Sequence, residues 1–266
     1  MIVVTGATGQ LGRLVIQALL RTVPADHIVA AVRSPEKAHD LAKLGVQVRQ
    51  ADYAQPDSWN AALAGADKLL LISSSEIGQR TAQHKAVIDA AQKAGVKLIA
   101  YTSVLHADTS PLGLATEHRE TEALLKASGL PVVLLRNGWY TENYTASVPA
   151  AVAHGVVMGS AGSGRIASAT RLDYAEAAAA VLTRENQAGL VYELAGDSAY
   201  TLAELAAEIA RQSGKAVTYQ DMPQAQYKAA LLGFGLPEGL AALLADSDSG
   251  ASKGALFDEG HQLSRL

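Results

Sequence analysis

Apolar and polar positions fall into repeating blocks along the first half of the chain. Short apolar runs of strand length are each followed by apolar residues at helical spacing. Ile2, Val3 and Val4 form the first run, after which Leu11, Leu14, Val15, Ala18 and Leu19 recur on one helical face. Residues 27–32, 46–51, 68–72, 97–102 and 131–136 predict five further strands, with helices filling the gaps. Gly95 and Gly129 stand where two of these helices stop, as expected for caps that need positive φ. Strand and helix signals in alternation argue for a parallel sheet with helices on both faces.

The second half lacks repeats, low-complexity runs and long charge blocks, so it reads as a lobe rather than a linker. Thr170 predicts the N-cap of an Ala-rich buried helix over 174–182, and Thr201 with Glu204 predicts a capping box for a helix over 202–212. Pro237 opens another helix, and the serines and glycines of 247–254 predict a flexible segment near the mouth of a cleft. The expected fold class is α/β, a Rossmann-type doubly wound parallel sheet with a smaller C-terminal α/β lobe. Its expected division is 1–136 and 137–266, with some strands of the second half returning to the first sheet.

The most specific motif lies at the start, where MIVVTGATGQLG breaks an apolar strand into Gly6, Gly9 and Gly12 and then opens a helix. One glycine permits a tight turn, another lets backbone amides approach a pyrophosphate, and the third lets helix and sheet pack closely. Gly6, Ala7, Thr8, Gly9, Gln10 and Leu11 are therefore candidate dinucleotide contacts at a helix N-terminus. About 20 residues further on, an acidic residue normally holds the ribose diol of NAD. Here the second strand ends in Arg33, and no Asp or Glu follows before Glu36. A guanidinium suits a 2′-phosphate that a carboxylate would repel, so NADPH is the predicted cofactor. Ser34 and Pro35 also read as the start of the next helix, leaving Ser34 to serve the helix, the phosphate or both.

Ligands of such sheets collect at the carboxyl ends of the strands. Asp52 and Tyr53 follow the third strand, where they could bond to and stack on an adenine or simply cap the turn. Ser73, Ser74 and Ser75 follow the fourth, with small side chains and amides suited to phosphates or the nicotinamide ribose. After the sixth strand, Asn137, Gly138, Trp139, Tyr140, Thr141, Glu142 and Asn143 combine flat apolar faces with hydrogen-bonding edges. A planar substrate beside a nicotinamide needs that mixture, although a hinge packed by core aromatics has the same composition.

Bulk properties narrow the class. With 266 residues, 49% of them hydrophobic, the chain can bury a full α/β core plus a small lobe. A net charge of −4 offers no broad attraction for nucleic acid or anionic membrane. No cysteine is present, so thiolate nucleophiles, disulfides and cysteine metal sites are excluded and redox chemistry must come from a bound cofactor. The first strand begins at once, and no apolar run approaches the ~20 residues of a membrane span. A cytoplasmic location is expected, and a homo-oligomer stays open. His84 and His106 have no metal-ligand spacing, and no metal is expected.

GATGQLG with Arg33, the SSS turn, LLRNGWYTEN and the tail DSDSGASKGALF together resemble the NmrA-like, atypical short-chain dehydrogenase family, from residue 1 nearly to residue 266. The resemblance implies an NADPH-binding domain, a smaller domain closing a cleft, and two-electron reduction of quinones without a flavin. By family position it assigns cofactor contacts to Gly6 through Leu11, Arg33, Ser73, Ser74, Ser75, Asn137, Gly138, Trp139, Tyr140, Thr141, Glu142 and Ser168. Trp139 and Tyr140 are then expected to wall the substrate, with Asn143 bonding its edge.

One departure matters, because no Tyr-x-x-x-Lys pair of the typical short-chain dehydrogenases follows Ser103. Where relatives place a lysine four residues before a helical glutamate, this chain has His118 before Glu122. His118 shares a helical stripe with Leu114, Thr121 and Leu125, so it reads equally as a hydrogen-bonded core histidine or as a catalytic one. His118 and Tyr140 are the candidate catalytic residues, with water as a further proton source. A reductase of another planar acceptor such as a dye, and a non-catalytic NADP-sensing regulator of the NmrA type, are the competing functions.

Overall fold

The computed structural model describes residues 1–266. Nine strands occur in chain order: β1 (Ile2–Val4), β2 (Ile28–Val32), β3 (Gln47–Gln50), β4 (Lys68–Leu71), β5 (Leu98–Val104), β6 (Val132–Asn137), β7 (Val156–Gly159), β8 (Val191–Leu194) and β9 (Thr218–Asp221). Helices α1 (Gln10–Leu19), α2 (His39–Lys43), α3 (Ser58–Ala62), α4 (Arg80–Ala94) and α5 (Ala115–Ala127) connect the first six strands. The second half adds α6 (Glu142–Thr145), α7 (Val148–His154), α8 (Arg171–Thr183), α9 (Leu202–Ser213), α10 (Gln224–Gly233) and α11 (Glu238–Ala251).

Seven strands form one sheet in the order β3-β2-β1-β4-β5-β6-β8, and every neighbouring pair is parallel. The order reverses between β1 and β4, which opens a crevice beyond their carboxyl ends. A separate parallel pair, β7-β9, belongs to the lobe.

The inner strands β1 and β4 and their neighbour β2 are apolar at nearly every position because both faces are covered, whereas the edge strand β3 is largely polar. Ile2, Val4, Ala30, Val32 and Leu70 point to one face and pack with Leu11, Val15 and Leu19 of α1 and with Ala175, Ala178 and Leu182 of α8. Val3, Val29, Ala31, Leu69 and Leu71 point to the other, against Trp59 of α3, Val87 and Ile88 of α4, and Leu125 of α5. A third cluster joins the two halves, with Val104, Leu112 and Trp139 meeting Ile166, Leu202 and Ala251. β8 and α8 belong to the second half in sequence and to the large sheet in space. The chain's last residues bond to β8 and to the stretch before α8: Glu193 N–H donates to Gln262 Oε1 at 3.1 Å, and Ala167 N–H donates to Leu256 O at 2.8 Å.

Thr170 caps α8, in a reciprocal box with Asp173 that the sequence reading does not specify, and the expected Thr201–Glu204 box forms. Several boundaries differ from the sequence expectation. His27 ends a single 3-10 turn rather than beginning β2, while β5 continues to Val104 and β6 to Asn137, placing Ser103 and Asn137 within the sheet. Ser34 precedes a 3-10 turn over Pro35–Ala38, and its side chain makes no capping bond. Residues 247–251 are not a flexible segment but the last turns of α11, with Ser247 and Asp248 buried. Their small side chains serve close packing, since a Cβ at Gly250 would collide with Leu112.

Candidate functional site

The turn from β1 to α1 has the form an anion requires. Gly6 sits at φ +56, where a Cβ is disfavoured. A Cβ at Gly12 would collide with the Gly6 carbonyl oxygen and lie 2.8 Å from Ala7 Cα, so this helix start must be bare. Gly9 is the N-cap and offers no side-chain bond, and the first turn carries no acidic residue. The N–H groups of Gln10, Leu11 and Gly12 find no partner within the chain, although backbone donors are rarely left so. Together with the helix dipole, these donors suit a pyrophosphate, which fits the dinucleotide the motif implies. Thr8 is tied into the frame by Arg13, whose Nε donates to Thr8 O at 3.2 Å while Nη2 donates to Lys37 O at 2.7 Å.

Arg33 leaves the end of β2 with its side chain 69% exposed, and its only ion pair is a 3.5 Å contact with Glu76. A pair so exposed contributes at most ~1 kcal/mol, so the guanidinium is available to a phosphate. Neither Arg13 nor Glu76 was singled out by sequence reasoning. Arg13 lies one turn inside α1, which is the signal that could have found it; Glu76 is brought in only by the loop after β4.

The two candidates after β3 are both committed locally. Asp52 Oδ1 accepts the Ala54 N–H at 3.0 Å as a turn residue. Tyr53 turns beneath the crevice, its hydroxyl oxygen 2.7 Å from Thr5 Oγ1 and 2.6 Å from Ile72 O while its ring leans on Trp59. It is a strut under the β1 and β4 ends instead of a free stacking face.

The serine turn after β4 is held from below by buried polar groups. Ser73 N–H donates to Thr102 Oγ1 at 2.9 Å, Ser74 N–H donates to His84 Nε2 at 2.9 Å, and Arg80 Nε donates to Ser74 O. Ser75 is exposed. Because His84 Nε2 accepts, its Nδ1 carries the proton and donates to Thr121 Oγ1 at 2.9 Å, and Thr121 Oγ1 passes its own proton to Glu117 O. His118 lies in the same layer, Nδ1 at 2.7 Å from Tyr101 Oη and Nε2 at 3.4 Å from Arg80 Nη1. It is only 4% exposed. Burial first, and Arg80 second, push the pKa of both histidines down to about 3. The stripe of Leu114, His118, Thr121 and Leu125 therefore turns inward, and His118 reaches the crevice only through Arg80 and Ser74. An imidazole that titrates at about 3 holds no second proton to donate near neutral pH, and the buttress role fits its surroundings.

Glu122 faces a different partner. It takes Arg136 Nε and Nη2 at 3.0 and 2.7 Å and the Ser103 hydroxyl, while Arg136 Nη1 donates to Glu193 Oε1 at 2.8 Å. These ends of β5, β6 and β8 are locked by charge-assisted bonds.

The segment after β6 folds against the strand-like stretch before α8. Tyr140 and Ala169 form an isolated parallel bridge, Thr141 N–H donates to Ala169 O at 2.9 Å, and Thr141 Oγ1 lies 2.9 Å from Ser168 Oγ. Ser168 Oγ is shared with Tyr200 Oη at 2.8 Å. A Cβ at Gly138 would be crowded, 3.0 Å from Leu194 O and from Tyr174 Oη. Arg171 gathers the rest: its guanidinium lies 4.6 Å over the Tyr140 ring, its N–H donates to Glu142 at 3.0 Å, and its Nη2 donates to Asn143 Oδ1 at 3.1 Å. Nothing in the local sequence distinguishes Arg171 from a solvated helix residue.

Two buried polar atoms here lack partners, Asn137 Oδ1 and Trp139 Nε1. Burial raises the Tyr140 phenol pKa above its ordinary value. No group of three or more His, Asp or Glu residues is arranged to hold a metal ion.

Residues 1–257 match the NmrA-like family. The chain belongs to that family. It is 63% identical over 266 residues to quinone oxidoreductase 2 of Escherichia coli, covering 100% of this chain and 93% of that protein. The structure of the Escherichia coli NADPH-dependent quinone oxidoreductase complexed with NADPH superposes with a TM-score of 0.98, over 100% of this chain and 94% of that one. The triphenylmethane reductase of Citrobacter sp. complexed with NADP(H) is 41% identical, with a TM-score of 0.97 over 100% of this chain and 95% of its own. An NAD(P)H azoreductase of Xenophilus azovorans is 30% identical over 243 residues, 91% of this chain and 84% of that protein.

Proposed function

We propose that the chain is an NADPH-dependent quinone oxidoreductase that passes two electrons directly to its acceptor without a flavin. The observation that carries this reading is the bare N-terminus of α1, with unpartnered N–H groups, set beside an exposed Arg33 where a diol-binding carboxylate is absent. Full-length identity of 63% to an Escherichia coli quinone oxidoreductase supports the same chemistry.

Gly6 through Leu11 would hold the pyrophosphate, with Arg33 and the uncapped Ser34 hydroxyl on the 2′-phosphate. Ser73, Ser74 and Ser75, fixed by Thr102, His84 and Arg80, would line the path to the nicotinamide ribose. Asn137, Gly138, Thr141, Glu142 and Ser168 would position the nicotinamide end. When bound, NADPH supplies the hydride. The chain's own task is positioning: Trp139 and Tyr140 would wall a flat acceptor at their accessible edges, Arg171 steadies Tyr140, and the Asn143 amide nitrogen is left free for an acceptor edge. His118 acts here as a positioning residue for the serine turn.

The acceptor class is tested by mixing purified, flavin-free protein with NADPH or NADH and following nicotinamide absorbance as a 1,4-benzoquinone is added. Rapid oxidation with preference for NADPH is the expected result. NADPH binding without consumption would instead favour a sensing regulator. Relatives that are named for triphenylmethane and azo compounds make dyes the second acceptor class to screen.

A further inference from the structure

We propose that Tyr144 and Asp248 supply the proton that completes quinone reduction, the Tyr144 hydroxyl donating to the acceptor oxygen and Asp248 resupplying it. This rests on the quinone-reductase reading. Asp248 stands on α11 with 2% of its surface exposed and no cation beside it. Its Oδ2 accepts the Ser160 N–H at 3.0 Å, and its Oδ1 accepts the Tyr144 hydroxyl at 3.0 Å. Tyr144, on α6, packs against Trp139 with ring centroids 6.5 Å apart, in the cluster that joins the ends of β5 and β6 to the lobe. The pair therefore meets the wall proposed for the acceptor, on the lobe side of the cleft.

An unpaired buried carboxylate is costly, and such a group stays neutral to higher pH. Asp221 adds to this, while the bonds from the Ser160 N–H and the Tyr144 hydroxyl oppose it. β9 contributes Tyr219 and Asp221, α10 contributes Tyr227, and Tyr200 lies near Tyr144, while Asp246 on α11 itself is turned away to the Gly113 N–H. Burial first, and Asp221 also, push Asp248 up to about 6. Burial and the nearby carboxyl raise Tyr144, so its phenol alone would release a proton poorly.

The neutral acid changes that. Protonated Asp248 donates to Tyr144 Oη, which frees the phenol hydrogen for the acceptor. Two electrons and one hydrogen reach the quinone as hydride; the second hydrogen leaves Tyr144 Oη as the new O–H bond forms. The Asp248 O–H bond breaks to restore the phenol, and water reprotonates the carboxylate. Transfer runs downhill, from an acid near 6 to a hydroquinone oxygen of about 10.

The test uses full-length wild type, Tyr144→Phe and Asp248→Asn. NADPH and a benzoquinone are used for kcat between pH 5 and 8, and infrared spectroscopy follows the carboxyl C=O stretch of the nucleotide-free protein. Wild-type kcat should fall as pH rises through about 6. Tyr144→Phe should lower kcat about 100-fold, the low end for a positioned acid, with a flat pH profile and unchanged NADPH affinity. Asp248→Asn should flatten the same limb and remove a carboxyl band that titrates near 6 in wild type. A wild-type rate and profile in Tyr144→Phe, or an Asp248 carboxyl ionised throughout this range, would overturn the relay. Absence of quinone turnover in wild type would instead defeat the underlying reading. The infrared titration of wild type stands even where a variant fails to fold.

Discussion

At the scale of single residues, the cofactor preference comes down to one exposed guanidinium. Arg33 is held only by the 3.5 Å contact with Glu76, so a phosphate can displace that carboxylate with little loss. A hydrogen bond to a charged group contributes roughly 1.5–3 kcal/mol. Arg33→Ala should therefore raise the Kd for NADPH by roughly 10- to 100-fold and leave NADH nearly unchanged, as isothermal titration would show. Equal losses for both nucleotides would mean that Arg33 shapes the loop and does not read the phosphate. The sequence exposed Arg33 because its position is fixed by the end of a strand. Arg171 and Glu76 were hidden because their roles arise from contacts between segments distant in the chain, with Arg171 meeting Tyr140, Glu142 and Asn143 only after α8 folds back.

At the scale of elements, the β1–α1 turn and the α4–α5 layer carry the site. Gly12→Ala would force a methyl group against the Gly6 carbonyl, which is backbone and cannot swing aside. An overpacking cost of about 1–3 kcal/mol lowers Tm by roughly 2–12 °C in a chain of this size. NADPH affinity should fall at least tenfold in the same variant, because the displaced amides are those that face the pyrophosphate. A variant that binds NADPH normally would show the nucleotide lodged elsewhere.

The α4–α5 layer gives a pH signature. His84 and His118 titrate at about 3 in the fold and at about 6.5 when unfolded. As pH falls below the unfolded value, the unfolded chain binds protons that the native state refuses, so native stability declines. Each histidine accounts for up to about 1.4 kcal/mol per pH unit until the folded value is reached. Asp248 acts in the opposite sense, because its raised folded value favours the native state at low pH and is lost as pH rises through about 6. Urea midpoints at pH 7.5 and 5.5 check this. His118→Gln should show a loss between the two smaller by about 1 kcal/mol than wild type. The same loss in both proteins would contradict a neutral, buried His118. Helical spacing alone had shown that His118 faces inward. Its partners on β5 and α4, Tyr101 and Arg80, are invisible to spacing.

At the scale of the molecule, alternating strand and helix signals were enough for the doubly wound sheet, because strands buried on both faces and helices buried on one leave distinct apolar periods. The return of β8 to the edge of that sheet was less legible. Val191 is exposed, and Val191–Leu194 lacks the continuous burial that marked β1 and β2. The end of α11 misled for a related reason. Serines and glycines there read as flexible, whereas in the structure they allow close approach to Leu112 and to the turn at Gly164. No helix of the structure is long and apolar enough to cross a membrane.

The central claim is direct hydride transfer from a nucleotide held by the β1–α1 turn to a quinone, with no flavin between. Single-turnover stopped-flow with NADPH deuterated at one or the other C4 position tests it most directly, using protein shown to be free of flavin. Oxidation by a benzoquinone should slow at least about twofold with one of the two labels and not with the other, the mark of a single face presented to the acceptor. Absence of NADPH oxidation, or a rate indifferent to both labels, would contradict the account.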